Sequence, residues 1–426
     1  MMQKTERLKR GPKCYKISTV EVEEPLLIPL SSGVPLYTFS TAEIGAIKFE
    51  IIFEAGRFYE DKKMVAQSCG ALLIEGCEFF SSAEISEAVD FEGAYLSSQG
   101  NSDFITLNLT CAKRSIHKML LLLENILANP SFSQEELDIF INRIKQKMTI
   151  NLSKNDVIAY RSITASLYGV NNVYGYNSSN EIISALTTKD LSEHYKKYCT
   201  RQSACFFLSG DFDEKIIKDI EKLSYKLNAT PRIQKKYLAT TTLREEIFLE
   251  GRENQSSLKL ALPLFTRKDK NYSGLYFLNT ILGGYFGSRL MRNIREQKGY
   301  TYNIYSMMDI YKHDGAWIIS CELDDKYICS TLEQIKIEFE RLQNNLISDQ
   351  EIQMVKNYLL GNFISTISGP FNAINPTKTE VIMNLKSSFY NQLGQDVLSI
   401  EPKDVQSLAK EYLNIDKFWK VIVGKT

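Results

Sequence analysis

The 426-residue chain contains only three histidines, His117, His194 and His313, and no two of them are close in sequence. Any catalytic or metal site that requires a local pair of histidines is therefore excluded. Cysteine is also sparse: eight residues are spread over the chain without a Cys-x-x-Cys pair, so neither a zinc knuckle nor a disulfide scaffold is indicated. We interpret the cysteines as reduced thiols of the core.

Net charge and long apolar runs are absent as well. The 51 basic side chains equal the 51 acidic ones in number, so no net field attracts nucleic acid or anionic lipid. No run of about 18 apolar residues occurs, and no apolar segment follows the basic N-terminus as it would in a signal peptide. We therefore expect a cytoplasmic protein that neither binds nucleic acid nor inserts into a membrane; a chain trimmed of a leader would instead be periplasmic.

What is present is the composition of an ordinary folded protein, with 44% hydrophobic and 24% charged residues. The length predicts at least two cores. In the first half, alternation and apolar runs predict strands at Leu26–Pro29, Pro35–Phe39 and Ile47–Phe53. Helical spacing then predicts a helix from Lys63 to about Glu75, which Gly76 ends. Further strands are predicted at 103–111 and 204–208, and helices at 82–89, 115–127, 134–151, 157–168 and 188–198.

The order of predicted strands and helices in the first half repeats after a polar, proline-containing stretch at 228–242. We interpret this stretch as a linker. Strands are predicted at 258–265, 302–311, 315–322 and 419–423, and helices at 272–282, 287–297, 329–344 and 349–365. Glu75–Ser82 aligns without gaps on Leu282–Arg289, an offset of 207 residues from 75 to 282. The sequence thus predicts two homologous domains, residues 1–227 and 243–426, joined by the linker.

The order of the predicted elements indicates the fold class. Strands linked as hairpins and followed by runs of helices favour an α+β fold. Each domain is expected to hold a mainly antiparallel sheet with helices packed on one face. We expect the other face of each sheet to be free.

Several segments together carry a family resemblance. They are Ser32–Pro35, Phe53–Arg57, Glu75–Gly76, Asn129–Phe132 and, most specifically, Ser288–Leu290 followed by Ile294–Tyr302. On these segments the chain resembles the pitrilysin/insulinase family of zinc peptidases, in particular its short members of bacterial and mitochondrial-processing type. The resemblance covers nearly the whole chain and implies a relationship to metalloendopeptidases, whose substrates are peptides.

Active members of that family carry an inverted zinc motif, His-x-x-Glu-His, in which two histidines on one helical face bind zinc and the glutamate activates the metal-bound water. The matching positions here begin at Leu72 and end at Gly76, so both histidines are lost and only Glu75 is kept. The family's third ligand, a glutamate on a later helix, corresponds to Lys147, whose ammonium would repel a divalent cation. The resemblance therefore implies that this chain binds no catalytic zinc. We interpret Glu75 as a hydrogen-bonded or solvated carboxylate at a helix end, and the three histidines as solvated or capping residues.

A second feature of the family is kept. Its members use an arginine and a tyrosine seven residues apart, which reach from the C-terminal domain to the zinc site, bind the substrate backbone and stabilise the tetrahedral intermediate. Arg295 and Tyr302 have that spacing. A guanidinium and a phenol both donate hydrogen bonds, as contact with a developing oxyanion requires.

A chain with this pair and without the zinc motif resembles one subunit of the heterodimeric members of the family, in which a sister chain brings the zinc. We therefore expect a related partner chain that carries His-x-x-Glu-His, zinc in that partner, and no peptidase activity of this chain alone. The alternative is a catalytically inactive scaffold, or a peptide-binding homodimer, of the same family. A pure scaffold has no need for Arg295 and Tyr302, so the pair discriminates between the two hypotheses.

Overall fold

Two β-sheets, one from each half of the sequence, organise the computed structural model, which describes residues 21–41, 43–240 and 243–425. The strands are β1 (Leu26–Pro29), β2 (Pro35–Ser40), β3 (Ala46–Phe53), β4 (Tyr95–Gly100), β5 (Ile105–Ala112), β6 (Ala204–Gly210), β7 (Glu246–Glu250), β8 (Ser256–Leu264), β9 (Thr301–Ile310), β10 (Gly315–Leu323) and β11 (Trp419–Gly424). The six-stranded first sheet has the order β1-β2-β6-β3-β5-β4, and the five-stranded second sheet has the order β7-β11-β8-β10-β9.

The α-helices lie between and after these strands. They are α1 (Val65–Leu72), α2 (Ser82–Phe91), α3 (Ile116–Ala128), α4 (Gln134–Asn151), α5 (Asn155–Tyr168), α6 (Asn180–Ser184), α7 (Thr188–Tyr198), α8 (Glu214–Ser224), α9 (Tyr272–Asn279), α10 (Ile328–Asn344), α11 (Asp349–Ile367), α12 (Asn375–Ile382), α13 (Phe389–Ser399) and α14 (Pro402–Tyr412). Two further segments, Thr280–Gly284 and Met291–Gln297, have wide helical turns of the π type. No helix in the described ranges is long and apolar enough to cross a lipid bilayer.

Both sheets are mainly antiparallel, and each contains one parallel pair of strands. Strand β2 is parallel to β6 in the first sheet, and β7 is parallel to β11 in the second. The first helix of each half also corresponds, because α1 and α9 differ by the same 207 residues that the sequence alignment gave. The predicted α+β class, with two antiparallel-dominated sheets and their helices, is confirmed.

Each sheet is covered on one face by helices of its own half. In the first sheet, Phe49 and Ile51 of β3 belong to a large core with buried residues of α1, α3, α4 and α7. In the second sheet, Leu260 of β8 and Trp317 of β10 belong to a core with α9, α10 and α11. Side chains alternate between the faces of a strand, so apolar residues at every second position bury one whole face.

The opposite face of each sheet is covered by a helix from the other half of the chain. Helix α5 packs on the second sheet, where Ile163 lies in one cluster with Ile318 and Val421. The segment of α12 packs on the first sheet, where Ile374 lies in one cluster with Ile52. The prediction that these faces are free is therefore wrong, because each half provides a helix that buries the second apolar face of the other sheet.

Three largely buried lysines form ion pairs between the two halves. The pairs, with their N–O distances, are Lys259–Asp156 (2.6 Å), Lys312–Glu54 (2.7 Å) and Lys378–Glu50 (2.9 Å). Two of them accompany the exchanged helices, since Asp156 lies on α5 and Lys378 lies on α12. A buried charge that loses its partner is costly, so these pairs fix how the halves sit on each other.

Two strands that the sequence left unpredicted have weak apolar patterns. Edge strand β4 is mostly polar, with the sequence Tyr-Leu-Ser-Ser-Gln-Gly, and the short strand β7 begins and ends with glutamate. Helices α6, α8 and α12 to α14 were not predicted either. Residues 229–240 of the predicted linker form neither helix nor strand, and residues 241 and 242 lie outside the described part of the chain.

Two details differ from the sequence predictions. The helix predicted to reach Glu75 ends at Leu72, because the chain turns away before Gly76, where φ is 136°. Five of the seven described cysteines are buried, as expected, but Cys329 is exposed. Cys14 lies outside the described residues.

Gly70 lets helix α1 approach strand β4 closely. A Cβ atom built at Gly70 would lie 2.3 Å from the backbone nitrogen of Gly100, which cannot rotate away. We expect Gly70→Ala to lower the free energy of unfolding by about 1–3 kcal/mol through overpacking. The matched control is Gly361 in α11, where a built Cβ meets nothing within 4 Å. Gly361→Ala should raise the free energy of unfolding by about 0.4–1 kcal/mol in the same denaturant titration; effects of one sign in both variants would contradict the close approach.

Candidate functional site

Arg295, Phe286 and Tyr302 form an exposed cluster beside strand β9, called here the Arg295 cluster. The guanidinium carbon of Arg295 lies 4.8 Å from the ring centroid of Tyr302 and 4.9 Å from that of Phe286. Tyr302 is 81% exposed and Phe286 is 62% exposed. A cation over an aromatic ring is attracted by the electrons of the ring face, so the two rings hold the guanidinium in place. The structure thus brings together the two residues that the sequence singled out and adds a second ring.

An irregular turn sets this arrangement. The backbone N–H of Lys298 donates to the carbonyl oxygen of Asn293, and that of Tyr300 donates to the carbonyl oxygen of Ile294, both at 3.0 Å. Gly299 between them has φ of 67°, a left-handed conformation that glycine adopts without strain. Ile294 is fully buried and anchors the segment, and β9 starts directly after the turn. Wide-turned helical segments of this kind often occur at functional sites.

The hydrogen-bond donors of the Arg295 cluster are available to a ligand. Among the described residues, no carboxylate forms an ion pair with Arg295, and the hydroxyl of Tyr302 has no hydrogen-bond partner. The guanidinium offers five N–H donors and the phenol offers one O–H donor. Such a donor set suits a carbonyl oxygen that gains negative charge during a reaction.

The positions that match the inverted zinc motif have the wrong chemistry for a metal. Leu72 is the last residue of α1 and is buried in the core, and Gly76 has no side chain. Lys147 is exposed on α4. Leucine and glycine side chains provide no donor atoms and an ammonium repels cations, so these residues do not fit zinc. Within the described ranges, no group of three or more histidine, cysteine, aspartate or glutamate residues is suited to hold a metal ion.

Glu75 lies three residues beyond the end of α1. The hydroxyl of Ser82 donates a hydrogen bond of 2.6 Å to its carboxylate. The pKa of Glu136, at the start of α4, is raised from its ordinary value, first by burial and then by the negative charge of Glu75. The two carboxylates therefore lie near each other as a repulsive pair in place of a metal site.

The three histidines have separate environments. The Nδ1 atom of His117 lies at hydrogen-bond distance, 2.7 Å, from a carboxylate oxygen of Asp219. His194 is buried, its Nε2 donates to a backbone carbonyl oxygen at 2.8 Å, and burial lowers its pKa to about 4. The ring of His313 packs 4.4 Å from that of Phe58, and burial also lowers its pKa. The prediction of solvated or capping histidines is wrong for His194 and His313, because both rings are packed among other side chains.

Phe286 is the member of the Arg295 cluster that sequence reasoning missed. It lies in the glycine-rich stretch Gly283-Gly284-Tyr285-Phe286-Gly287. An aromatic residue in a polar, glycine-rich turn has no core to pack into, and this was the available signal.

Comparisons with known proteins find relatives among peptidases and their non-peptidase homologues. Residues 185–359 match the family described as Peptidase M16 inactive domain, a stretch that contains the Arg295 cluster. The Helicobacter pylori protein named Non-peptidase homolog YmxG is 22% identical over 427 residues, which cover 94% of this chain and 97% of that protein. The chain is therefore similar to the inactive-type domain of M16 peptidases. The pitrilysin/insulinase resemblance predicted from the sequence is confirmed.

Two further proteins extend the comparison. The Bacillus subtilis protein named Uncharacterized zinc protease YmxG is 20% identical over 350 residues, which cover 81% of this chain and 84% of that protein. The solved structure of a peptidase M16 inactive domain from Pseudomonas fluorescens has a TM-score of 0.87 at 21% identity, with 94% of this chain and 98% of that chain covered. At this level of identity, the structural likeness establishes the shared fold.

Proposed function

We propose that this protein belongs to the M16 peptidase family and is the zinc-free subunit of a two-chain metallopeptidase. It contributes substrate binding and oxyanion stabilisation to a zinc site on a related partner chain, and the pair hydrolyses peptides or unfolded segments. Arg295 and Tyr302 contact the substrate carbonyl. The partner carries His-x-x-Glu-His and supplies the zinc ligands that Leu72, Gly76 and Lys147 cannot provide.

The geometry of the Arg295 cluster is the observation that carries this proposal. The guanidinium is held 4.8 Å from the Tyr302 ring, and both side chains keep free donors on an exposed surface. Donors that are fixed before the substrate arrives need little reorganisation when charge develops in the transition state. Zinc-bound hydroxide and these donors act on opposite sides of one carbonyl group, so a site divided between two chains is chemically reasonable.

The exposed rings also support a second candidate function. Aromatic and arginine side chains are enriched at the centres of protein interfaces, and Phe286, Arg295 and Tyr302 are such a set. The same cluster would then hold a partner or peptide in a catalytically inactive scaffold or homodimer.

Reconstitution with a related chain tests the proposal. We expect this chain alone to leave a fluorogenic peptide intact. Co-purification with an M16 chain that carries His-x-x-Glu-His should give hydrolysis that a chelator abolishes and zinc restores. A partner whose motif glutamate is replaced by glutamine is the control and should be inactive in the complex. Chelator-sensitive hydrolysis by this chain alone would overturn the proposal. A stable homodimer that does not co-purify with any chain carrying His-x-x-Glu-His would favour the scaffold.

A further inference from the structure

A cavity of about 520 Å³ lies in the second half of the chain, against the free edge of strand β9. Its walls come from α9, the π-type segment Thr280–Gly284 and helices α11 to α13. None of the three residues of the Arg295 cluster lines it. The volume is that of a small-molecule site.

The internal repeat relates this cavity to the lost zinc motif. The offset of 207 residues between α1 and α9 places Asn279 at the position of Leu72. Helices α4 and α11 start with matching Ser-x-x-Glu segments, from Ser133 and Ser348, and their offset of 215 residues places Asn362 at the position of Lys147. Both asparagines line the cavity. The second half therefore has an open pocket with amide side chains where the first half has a leucine and an exposed lysine.

Aromatic rings form much of the wall. The aromatic residues of the lining are Tyr272, Tyr276, Tyr358, Phe363 and Tyr390. Two ring pairs are stacked: Tyr272 on Tyr276, with centroids 6.2 Å apart, and Phe363 on Tyr390, with centroids 5.5 Å apart. Stacked rings offer flat apolar surfaces that suit an aromatic or branched aliphatic group.

Two residues of the cavity wall carry buried polar atoms without hydrogen-bond partners in the described part of the chain. Arg267 lines the cavity and donates one hydrogen bond of 3.2 Å to the hydroxyl of Tyr390, whereas its buried Nε has no hydrogen-bond partner among the described residues. No described carboxylate forms an ion pair with Arg267. Glu380 accepts a hydrogen bond from the backbone N–H of Tyr390, and burial raises its pKa. The Oδ1 atom of Asn375, another lining residue, is buried without a donor.

These features define the missing partner by its chemistry. The partly buried guanidinium of Arg267 has no carboxylate partner among the described residues, so an anion in the cavity can pair with it, and a carboxylate accepts two hydrogen bonds from one guanidinium. The aromatic rings of the wall suit an apolar group beside that carboxylate.

We propose that this cavity binds an apolar residue through its free carboxylate. The carboxylate pairs with Arg267, and the apolar side chain lies among the rings. Two sources share this chemistry: the C-terminal residue of a peptide, and a single N-acylated amino acid. The site needs no zinc and no partner chain, so it does not depend on the proposed function.

Binding to the purified full-length chain tests the site by calorimetry. The probes are N-acetyl-L-phenylalanine, its amide, and a hexapeptide that ends in phenylalanine as the free acid or as the amide. We expect a free acid that binds to do so at least tenfold more tightly than the corresponding amide. Arg267→Gln should weaken binding of the acid at least tenfold. Lys270→Gln removes the same charge from an exposed neighbouring position and should leave binding unchanged.

The pattern of results decides both the site and its natural ligand. If only the peptide acid binds tightly, the natural ligand is the C-terminus of a peptide. If both acids bind equally, a single N-acylated residue is sufficient for binding. If Arg267→Gln does not fold, Asn362→Trp, at an exposed position on α11, narrows the cavity and should abolish binding. Equal affinity for acid and amide, no binding of either acid, or binding that survives both variants would overturn the proposal.

Discussion

In the proposed two-chain enzyme, Arg295→Ala is expected to lower kcat/KM by about 100- to 1,000-fold, the usual effect of removing one oxyanion donor. The loss should fall mainly on kcat, because the guanidinium binds the carbonyl oxygen most strongly when it becomes negative. Phe286 and Tyr302 hold the guanidinium at 4.9 and 4.8 Å, so the donor is already placed before substrate binds. Steady-state kinetics on a fluorogenic peptide measure the effect.

Two companion variants separate chemistry from packing. Tyr302→Phe keeps the ring that holds Arg295 and removes one hydroxyl donor, so we expect a smaller loss of about tenfold in kcat/KM. Arg292→Ala removes an equal charge from an exposed position of the same segment and should retain activity within about twofold. Equal activity of the Arg295 and Arg292 variants would show that Arg295 does not reach the substrate.

A second large effect is expected on stability. Glu50→Leu should lower the free energy of unfolding by about 3–5 kcal/mol, because it leaves the buried ammonium of Lys378 without its partner. The two side chains are joined at 2.9 Å between β3 and α12, and Lys48 lies 3.2 Å from the same carboxylate. Burial already lowers the pKa of Lys378. In the variant, Lys378 binds a proton more weakly in the folded chain than in the unfolded chain. The free energy of unfolding should therefore rise, and the destabilisation shrink, as the pH is raised toward the pKa of free lysine.

The double variant Glu50→Leu with Lys378→Met isolates the interaction. Removing both charges should restore most of the lost stability, since no buried charge then lacks a partner. Glu193→Gln is the control: it breaks an exposed pair with Lys189 and should change the free energy of unfolding by less than about 1 kcal/mol. A double variant as unstable as Glu50→Leu would mean that packing, and not charge, explains the loss. Denaturant titrations of all four proteins decide between the two.

The fold class could be predicted because most segments carry clear local patterns. Helix α7 was predicted at its observed bounds, and the capping serine of α4, Ser133, accepts a hydrogen bond from the N–H of Glu136 as its sequence indicates. The exchange of helices could not be predicted. Helix α5 and the segment of α12 show no pattern that tells which sheet they cover, since an apolar helix face packs equally well on either apolar sheet face.

The candidate site was predictable in part for a similar reason. Arg295 and Tyr302 were found from their spacing, and the loss of both histidine positions at Leu72 and Gly76 was visible in the sequence. The cavity beside β9 was not predictable, because its lining residues come from five segments distant in the chain. A single sequence does not place Arg267 near Tyr390.

The crossing of α5 and α12 between the halves also governs how the chain folds during synthesis. Helix α5 packs against β8 and β11, and β11 occupies residues 419–424, at the end of the described chain. The first half therefore leaves the ribosome with one helix unplaced and one face of its sheet uncovered until α12 follows. Domains generally fold one after the other as they emerge. Here the helix of the first half finds its full packing surface only when β11 joins the second sheet, so we expect the two sheets of the described chain to complete their packing together.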